Sequence, residues 1–149
     1  MPRHLVIDDL QVRHDEFNRI LVKNGGHEID HAYTVTEGVA FLRQRMIPDE
    51  FKAHKLGVPA VADPYGVIFL DHDIDSGYDR RDVLHFVQWF VGHDFIREEV
   101  RKAGTKFFIH SWNDSGIENM AALLRQHGFA VHCRKFRAEA GPHGPYDPL

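Results

Sequence analysis

Three short stretches of this chain carry carboxylates and imidazoles where chemistry would need them: Asp8-Asp9, Asp71-His72-Asp73, and His110-Ser111-Trp112-Asn113. Each follows a compact apolar run, as expected where a buried strand reaches a polar rim. Carboxylates crowded into a small space raise one another's proton affinity or require a cation between them. A divalent ion is the simplest neutraliser, and carboxylate oxygens suit hard Mg²⁺ or Mn²⁺. The expected metal ligands are therefore Asp8, Asp9 and Asp71. The competing reading is that Asp8 and Asp9 cap one helix while Asp71 or Asp73 caps the next turn.

His72 and His110 widen the choice of ion, since neutral imidazole favours Zn, Fe or Ni over Mg. In an extended segment Asp71 and Asp73 share one side and His72 faces the other, so the acids or the imidazole, not both, meet a given ligand. His110 alternates with Ser111 in the same way. As candidate catalytic groups we take Asp71, His72, Asp73 and His110, the last three as proton carriers. Ser111 and Asn113 can donate to a phosphoryl oxygen, and Gly116 would let a helix start close to an anion. An ordinary helix start capped by Asn113, Asp114 or Ser115 accounts for the same residues. Lys135, or else Arg134 or Arg137, would offset negative charge or hold a phosphate oxygen.

The elements that must position these groups follow from periodicity. An apolar run from His4 to Ile7 reads as a first strand. Val12, Phe17, Ile20 and Leu21 then give a helix stopped by Gly25 and Gly26. A second strand spans His27 to Tyr33, and Thr34 or Thr36 caps a helix carrying Val39, Phe41, Leu42 and Met46 that ends near Pro48. Between Pro48 and Pro64 the pattern is irregular. Val67-Ile68-Phe69-Leu70 is the clearest strand, followed by a turn at Asp75-Ser76-Gly77 and a long helical stretch from about Asp82 to Lys102, with a break near Gly92. Gly104 terminates that stretch. Lys106 to Ser111 forms the fourth strand. A helix with Met120, Leu123 and Leu124 stops at Gly128, before a fifth strand at Phe129 to Phe136.

Alternating strands and helices imply right-handed crossovers and a doubly wound five-stranded parallel sheet in a three-layer α/β sandwich, for which we take the strand order 2-1-3-4-5. In such a fold ligands bind beyond the carboxyl ends of the strands, where all three polar stretches lie. That order makes the first and third strands neighbours and brings the distant acids together. The domain is expected to span residues 1–137, with a Gly/Pro-rich tail over 138–149.

Composition sets the outer bounds. At 149 residues, 43% hydrophobic and 27% charged, the chain suits one domain with its own core. A formal charge of -4 argues against general DNA or RNA binding, which depends on cationic neutralisation of phosphates. No apolar run approaches a membrane span. A single cysteine, Cys133, with no signal segment, makes the cytoplasm the expected compartment. The twelve histidines are scattered rather than clustered as a tag would be.

On these residues the chain resembles the CheY-like, flavodoxin-like receiver domain of two-component signalling. Asp8-Asp9 corresponds to that fold's acidic metal pocket, Asp71 to its phosphoacceptor, Ser111 to its switch hydroxyl and Lys135, followed by Phe136, to its lysine. Departures are also plain: no proline follows Lys135, His72-Asp73 replaces an apolar-rich turn, and His110 precedes the hydroxyl. With Leu70-Asp71-His72-Asp73, His110-Ser111-x-Asn113 and Gly116-x-x-Asn119-Met120, the chain is more similar to the cyclic-phosphate processing receiver domains of bacterial and phage genomes. That resemblance implies a metal-dependent sensor or hydrolase of a small cyclic-phosphate nucleotide or RNA-end cyclic phosphate. Two other functions stay open: a receiver phosphorylated on Asp71, and a module that binds a cyclic nucleotide without cleaving it.

Overall fold

A computed structural model describes residues 3–47, 62–71, 83–111 and 114–135 of the chain. The elements are β1 (Arg3–Ile7), α1 (Gln11–Phe17) running into a π-helical turn (Asn18–Lys23), β2 (Glu28–Ala32) and α2 (Val35–Met46). They continue with β3 (Val67–Asp71), α3 (Val83–Gly92), α4 (Asp94–Ala103), β4 (Lys106–Ser111), α5 (Asp114–Gln126) and β5 (Val131–Lys135). The strands form one parallel sheet in the order β2-β1-β3-β4-β5, as the sequence implied. The turn at Asp75-Ser76-Gly77, most of the irregular stretch after Pro48, and the tail lie outside the described residues.

Strand alternation sorts the core into two layers. Leu5, Ile7, Ile68, Leu70, Phe107, Ile109 and Val131 meet the buried faces of α2, α3, α4 and α5 in the larger cluster. Val6, Phe69 and Phe108 point the other way, onto Phe17 and Leu21. Central strands are apolar in both directions because both faces are covered, which is why β3 reads as a continuous run rather than an alternation. Among the described residues no helix is long and apolar enough to cross a membrane.

Local chemistry sets the ends of the elements. Thr34 caps α2: its Oγ1 accepts from the Glu37 N–H at 3.1 Å, and the Glu37 carboxylate accepts in turn from the Tyr33 N–H at 3.0 Å. The long helical stretch is broken into α3 and α4 at His93, whose Nδ1 accepts from the Ile96 N–H at 3.3 Å and starts the second helix. Gly104 closes α4 at φ 75°, a left-handed conformation that an L side chain would strain. The fifth strand is shorter than its apolar pattern suggested, starting at Val131, with Phe129 buried ahead of it.

The first helix departs most from its periodicity. Val12, expected on the apolar face, is 64% exposed, while Arg13 is 9% exposed and His14 is fully buried. The helix turns the face of Arg13, His14 and Phe17 to the sheet, because polar partners for the first two wait at the strand ends. Periodicity counts apolar residues and so misplaces a helix whose buried face is partly polar.

Two close contacts have measurable consequences. A Cβ added at Gly38 in α2 would stand 2.5 Å from Ile7 Cδ1 and 3.0 Å from its Cγ1. Overpacking a core costs about 1–3 kcal/mol, against roughly 1 kcal/mol gained in helix propensity. Gly38→Ala is therefore expected to lose about 1 kcal/mol in urea unfolding, and Ile7→Val in the same chain to recover more stability than it costs alone; simple additivity would contradict the contact.

His4 is the second. Its Nδ1 accepts from the Val67 N–H at 3.0 Å, and its Nε2 lies 2.8 Å from His27 Nδ1. Both bonds suit a neutral ring, and burial, aided by His27, pushes the imidazole down to about 4. Because the folded value lies below the unfolded one of about 6.5, stability is complete above pH 6.5 and declines as pH falls toward 4, by up to about 3 kcal/mol. His4→Asn, which keeps an acceptor for Val67, should flatten this decline while lowering stability at pH 7. An unchanged slope would show that His4 is not the group responsible.

Candidate functional site

The carboxyl ends of β1, β3 and β4 form one polar rim. Asp8 follows β1 directly, and its N–H donates to the Ala32 carbonyl at 3.0 Å, extending the ladder with β2 by one bond. The Asp8 side chain turns back on the chain, where Oδ1 accepts from the Leu10 N–H at 2.9 Å. Asp71 ends β3, and both acids are 2% exposed. One oxygen each from Asp8, Asp9 and Asp71 lies within 4.8 Å of the others. Removal from water pushes the Asp8 carboxyl up, a shift only partly offset by the Leu10 N–H and by the charge of Arg13.

Arg13 is the group that periodicity missed. Its Nη1 donates to Asp71 Oδ2 at 2.9 Å and to Asp8 Oδ2 at 3.4 Å, so one guanidinium nitrogen spans two strands. A signal did exist in the sequence: converging carboxylates demand a cation, and the helix beginning just after Asp9 is the nearest element able to supply one.

The neighbouring His14 holds the same rim from behind. Its Nε2–H donates to the Asp8 carbonyl at 2.8 Å, and its Nδ1 lies 2.6 Å from His31 Nδ1. His31 Nε2 in turn lies 2.9 Å from the Asn18 side-chain oxygen. The Tyr33 ring packs on His14 with centroids 4.0 Å apart. Burial, and next the His14 charge, hold the His31 imidazole below its ordinary value. This chain of side chains ties α1, the π-helical turn and β2 to the backbone beneath the acidic cluster.

His110 pairs in register with Asp71, so the two residues point to the same face of the sheet. It is 2% exposed and stacks near Phe69 and Phe108, with the Phe17 ring edge-on at 6.2 Å. Among the described residues the cluster able to hold an ion consists of the three carboxylates, and His110 is not part of it. Ser111 and Lys135 are backbone register neighbours at the ends of β4 and β5. His72, Asp73 and Asn113 lie outside the described residues.

The donor set is all oxygen and anionic, which fits Mg²⁺ or Mn²⁺ and offers a softer ion little. Such a site can bind a hard cation and, through it, an anion. The buried imidazole of His110 lies one strand away.

Comparison with known proteins agrees with the fold. A crystal structure of a CheY-like response regulator receiver domain protein from Methanospirillum hungatei JF-1 superposes with a TM-score of 0.55 at 16% identity, covering 96% of this chain and 86% of that one. Vibrio cholerae CheY4 gives a TM-score of 0.55 at 15% identity, over 96% and 91% of the two chains. The Mn²⁺-bound form of response regulator Rcp1 gives 0.57 at 13% identity, over 89% and 80%. No curated protein matches the chain. The family model described as the cyclic-phosphate processing receiver domain matches residues 3–126, which takes in four of the five strands and the whole acidic rim. With receiver topology, three converging aspartates and that match across most of its length, the chain belongs to the cyclic-phosphate processing receiver domain family.

Proposed function

We propose that this chain is a metal-dependent phosphoesterase that opens a cyclic phosphate, on a small nucleotide or at an RNA end. The observation that carries this reading is the meeting of the Asp8, Asp9 and Asp71 oxygens within 4.8 Å at the sheet's carboxyl edge, two of the three acids being buried. A family named for cyclic-phosphate processing and a Mn²⁺-bound structural neighbour support it. The three aspartates would hold Mg²⁺ or Mn²⁺. When bound, such an ion neutralises charge on a phosphoryl oxygen and lowers the pKa of water.

The chain's own side chains supply the rest. In ring opening a water oxygen bonds to phosphorus, one ring ester bond breaks, and the departing alkoxide takes a proton, leaving a linear monoester. His110, placed beside Asp71 by register and shielded from water, is the described group suited to move that proton; His72 and Asp73 are the other candidates. Ser111, Asn113 and Lys135 would hold phosphate oxygens, the first and last being register neighbours at the rim. A formal net charge of -4 fits a small ligand better than a long polyanion.

A second reading is favoured by the receiver topology itself: Asp71, at the end of β3, would accept a phosphoryl group from a donor without any hydrolytic output. One variant separates the two. In the presence of Mg²⁺ or Mn²⁺ the wild-type chain is expected to open 2′,3′-cyclic mononucleotides or cyclic dinucleotides, with Asp71→Asn at least about a hundredfold slower. Equal rates, or no turnover with any of these substrates, would sink the enzyme reading. A stable mass gain after incubation with acetyl phosphate, lost in Asp71→Asn, would establish the receiver reading instead.

A further inference from the structure

Asp8 and Asp9 are consecutive, so a single peptide plane joins two of the three carboxylates that converge at the rim. Because that unit is rigid, the direction of the Asp8 carbonyl fixes where the Asp9 backbone begins. Residue 8 is held at three points. Its N–H donates to the Ala32 carbonyl at 3.0 Å, its Oδ1 accepts from the Leu10 N–H at 2.9 Å, and its carbonyl accepts from His14 Nε2–H at 2.8 Å. The first two bonds come from backbone groups. The third comes from a side chain on α1, and so is the one that a substitution can remove.

His14 is itself braced. It is fully buried, its Nδ1 lies 2.6 Å from Nδ1 of His31 on β2, and His31 Nε2 lies 2.9 Å from the Asn18 side-chain oxygen. The Tyr33 ring packs over it at 4.0 Å between centroids. A buried imidazole is a costly way to pack a helix on a sheet, since both nitrogens must leave water and find new partners. What it supplies that an apolar side chain would not is an N–H directed at the Asp8 carbonyl.

We propose that His14, braced by His31, is a positioning residue of the metal pocket: by holding the peptide plane between Asp8 and Asp9 it sets how those two ligands present their oxygens to a divalent ion. This rests on the metal-dependent reading given above. A small hard ion requires oxygens at about 2.0–2.1 Å in near-octahedral array, so a pair of ligands on a loosely held plane binds it poorly. Partners behind the ligands typically contribute about 10–100-fold to metal affinity. His14 acts here through the backbone, and His31 acts through His14.

The test titrates the full chain with Mn²⁺ alone, following loss of the free-ion electron paramagnetic resonance signal, with folding checked by circular dichroism. His14→Leu, which keeps the packing and loses the N–H, is expected to bind Mn²⁺ at least about tenfold more weakly than wild type. His14→Gln places an amide N–H near the position of Nε2 and should restore affinity to within about threefold. His31→Leu removes the brace and should weaken binding severalfold. A purely structural role would lower unfolding stability in these variants without this order of affinities in the folded chains. Wild-type affinity in folded His14→Leu, or no recovery in His14→Gln, overturns the proposal. If His14→Leu fails to fold, His31→Leu decides, and wild-type affinity there refutes it. A wild-type chain that binds no Mn²⁺ removes the metal-dependent reading itself, an outcome distinct from wild-type binding that His14→Leu leaves unchanged.

Discussion

Electrostatic frustration at the carboxyl edge of a parallel sheet organises this protein. Adjacent strands β1 and β3 reach the same edge, β3 ending in Asp71 and β1 followed directly by Asp8, and both aspartates are buried. Buried carboxylates are costly when alone and very costly when close, so everything around the rim is arranged to offset them. The Leu10 N–H, the Arg13 guanidinium and a peptide plane held by His14 are the visible parts of that arrangement. A fold optimised only for stability would replace the cluster with apolar residues. The cluster lies at the edge where ligands bind in doubly wound sheets.

The first helix shows how that local demand reshapes an element. Its sequence offers Val12 as an apolar anchor, yet the structure leaves Val12 in water and brings Arg13 and His14 inward. Phe17 and, beyond it in the π-helical turn, Leu21 still reach the second core layer against Val6, Phe69 and Phe108. One face therefore does two jobs, packing the sheet at its far end and compensating the acids at its near end. Turns of π-helix are rare and often accompany functional sites, and this one carries Asn18, the outer partner of His31.

The site is asymmetric across the strands. β1 and β3 supply carboxylates, while β4 supplies an imidazole packed among aromatic rings on the same face as Asp71. Three converging carboxylates and a buried imidazole thus stand in neighbouring registers at one edge of the sheet. The proposed phosphoester chemistry would use both. The receiver architecture is shared with structural neighbours at 13–16% identity, a level at which the fold alone is common ground. What sets this chain apart has to be sought in its side chains.

Much of the architecture was legible in the chain before folding. Apolar runs such as Val67–Leu70, glycine stops at Gly104 and Gly128, and the Thr34 cap are local signals, and local signals survive in one dimension. Alternation of elements gave the parallel sheet, and the order 2-1-3-4-5 of the receiver-like fold it resembles gave the meeting of Asp8, Asp9 and Asp71. Which cation faces those acids was not legible, because the choice depends on how far a helix rotates about its own axis, a quantity set by packing against the sheet. The same holds for the link from His14 through His31 to Asn18, whose members lie on three elements and show no common spacing. Sequence determines what each segment is and where it ends; only the packed structure decides which polar side chains share a low-dielectric space, since that energy depends on distances the linear order does not contain.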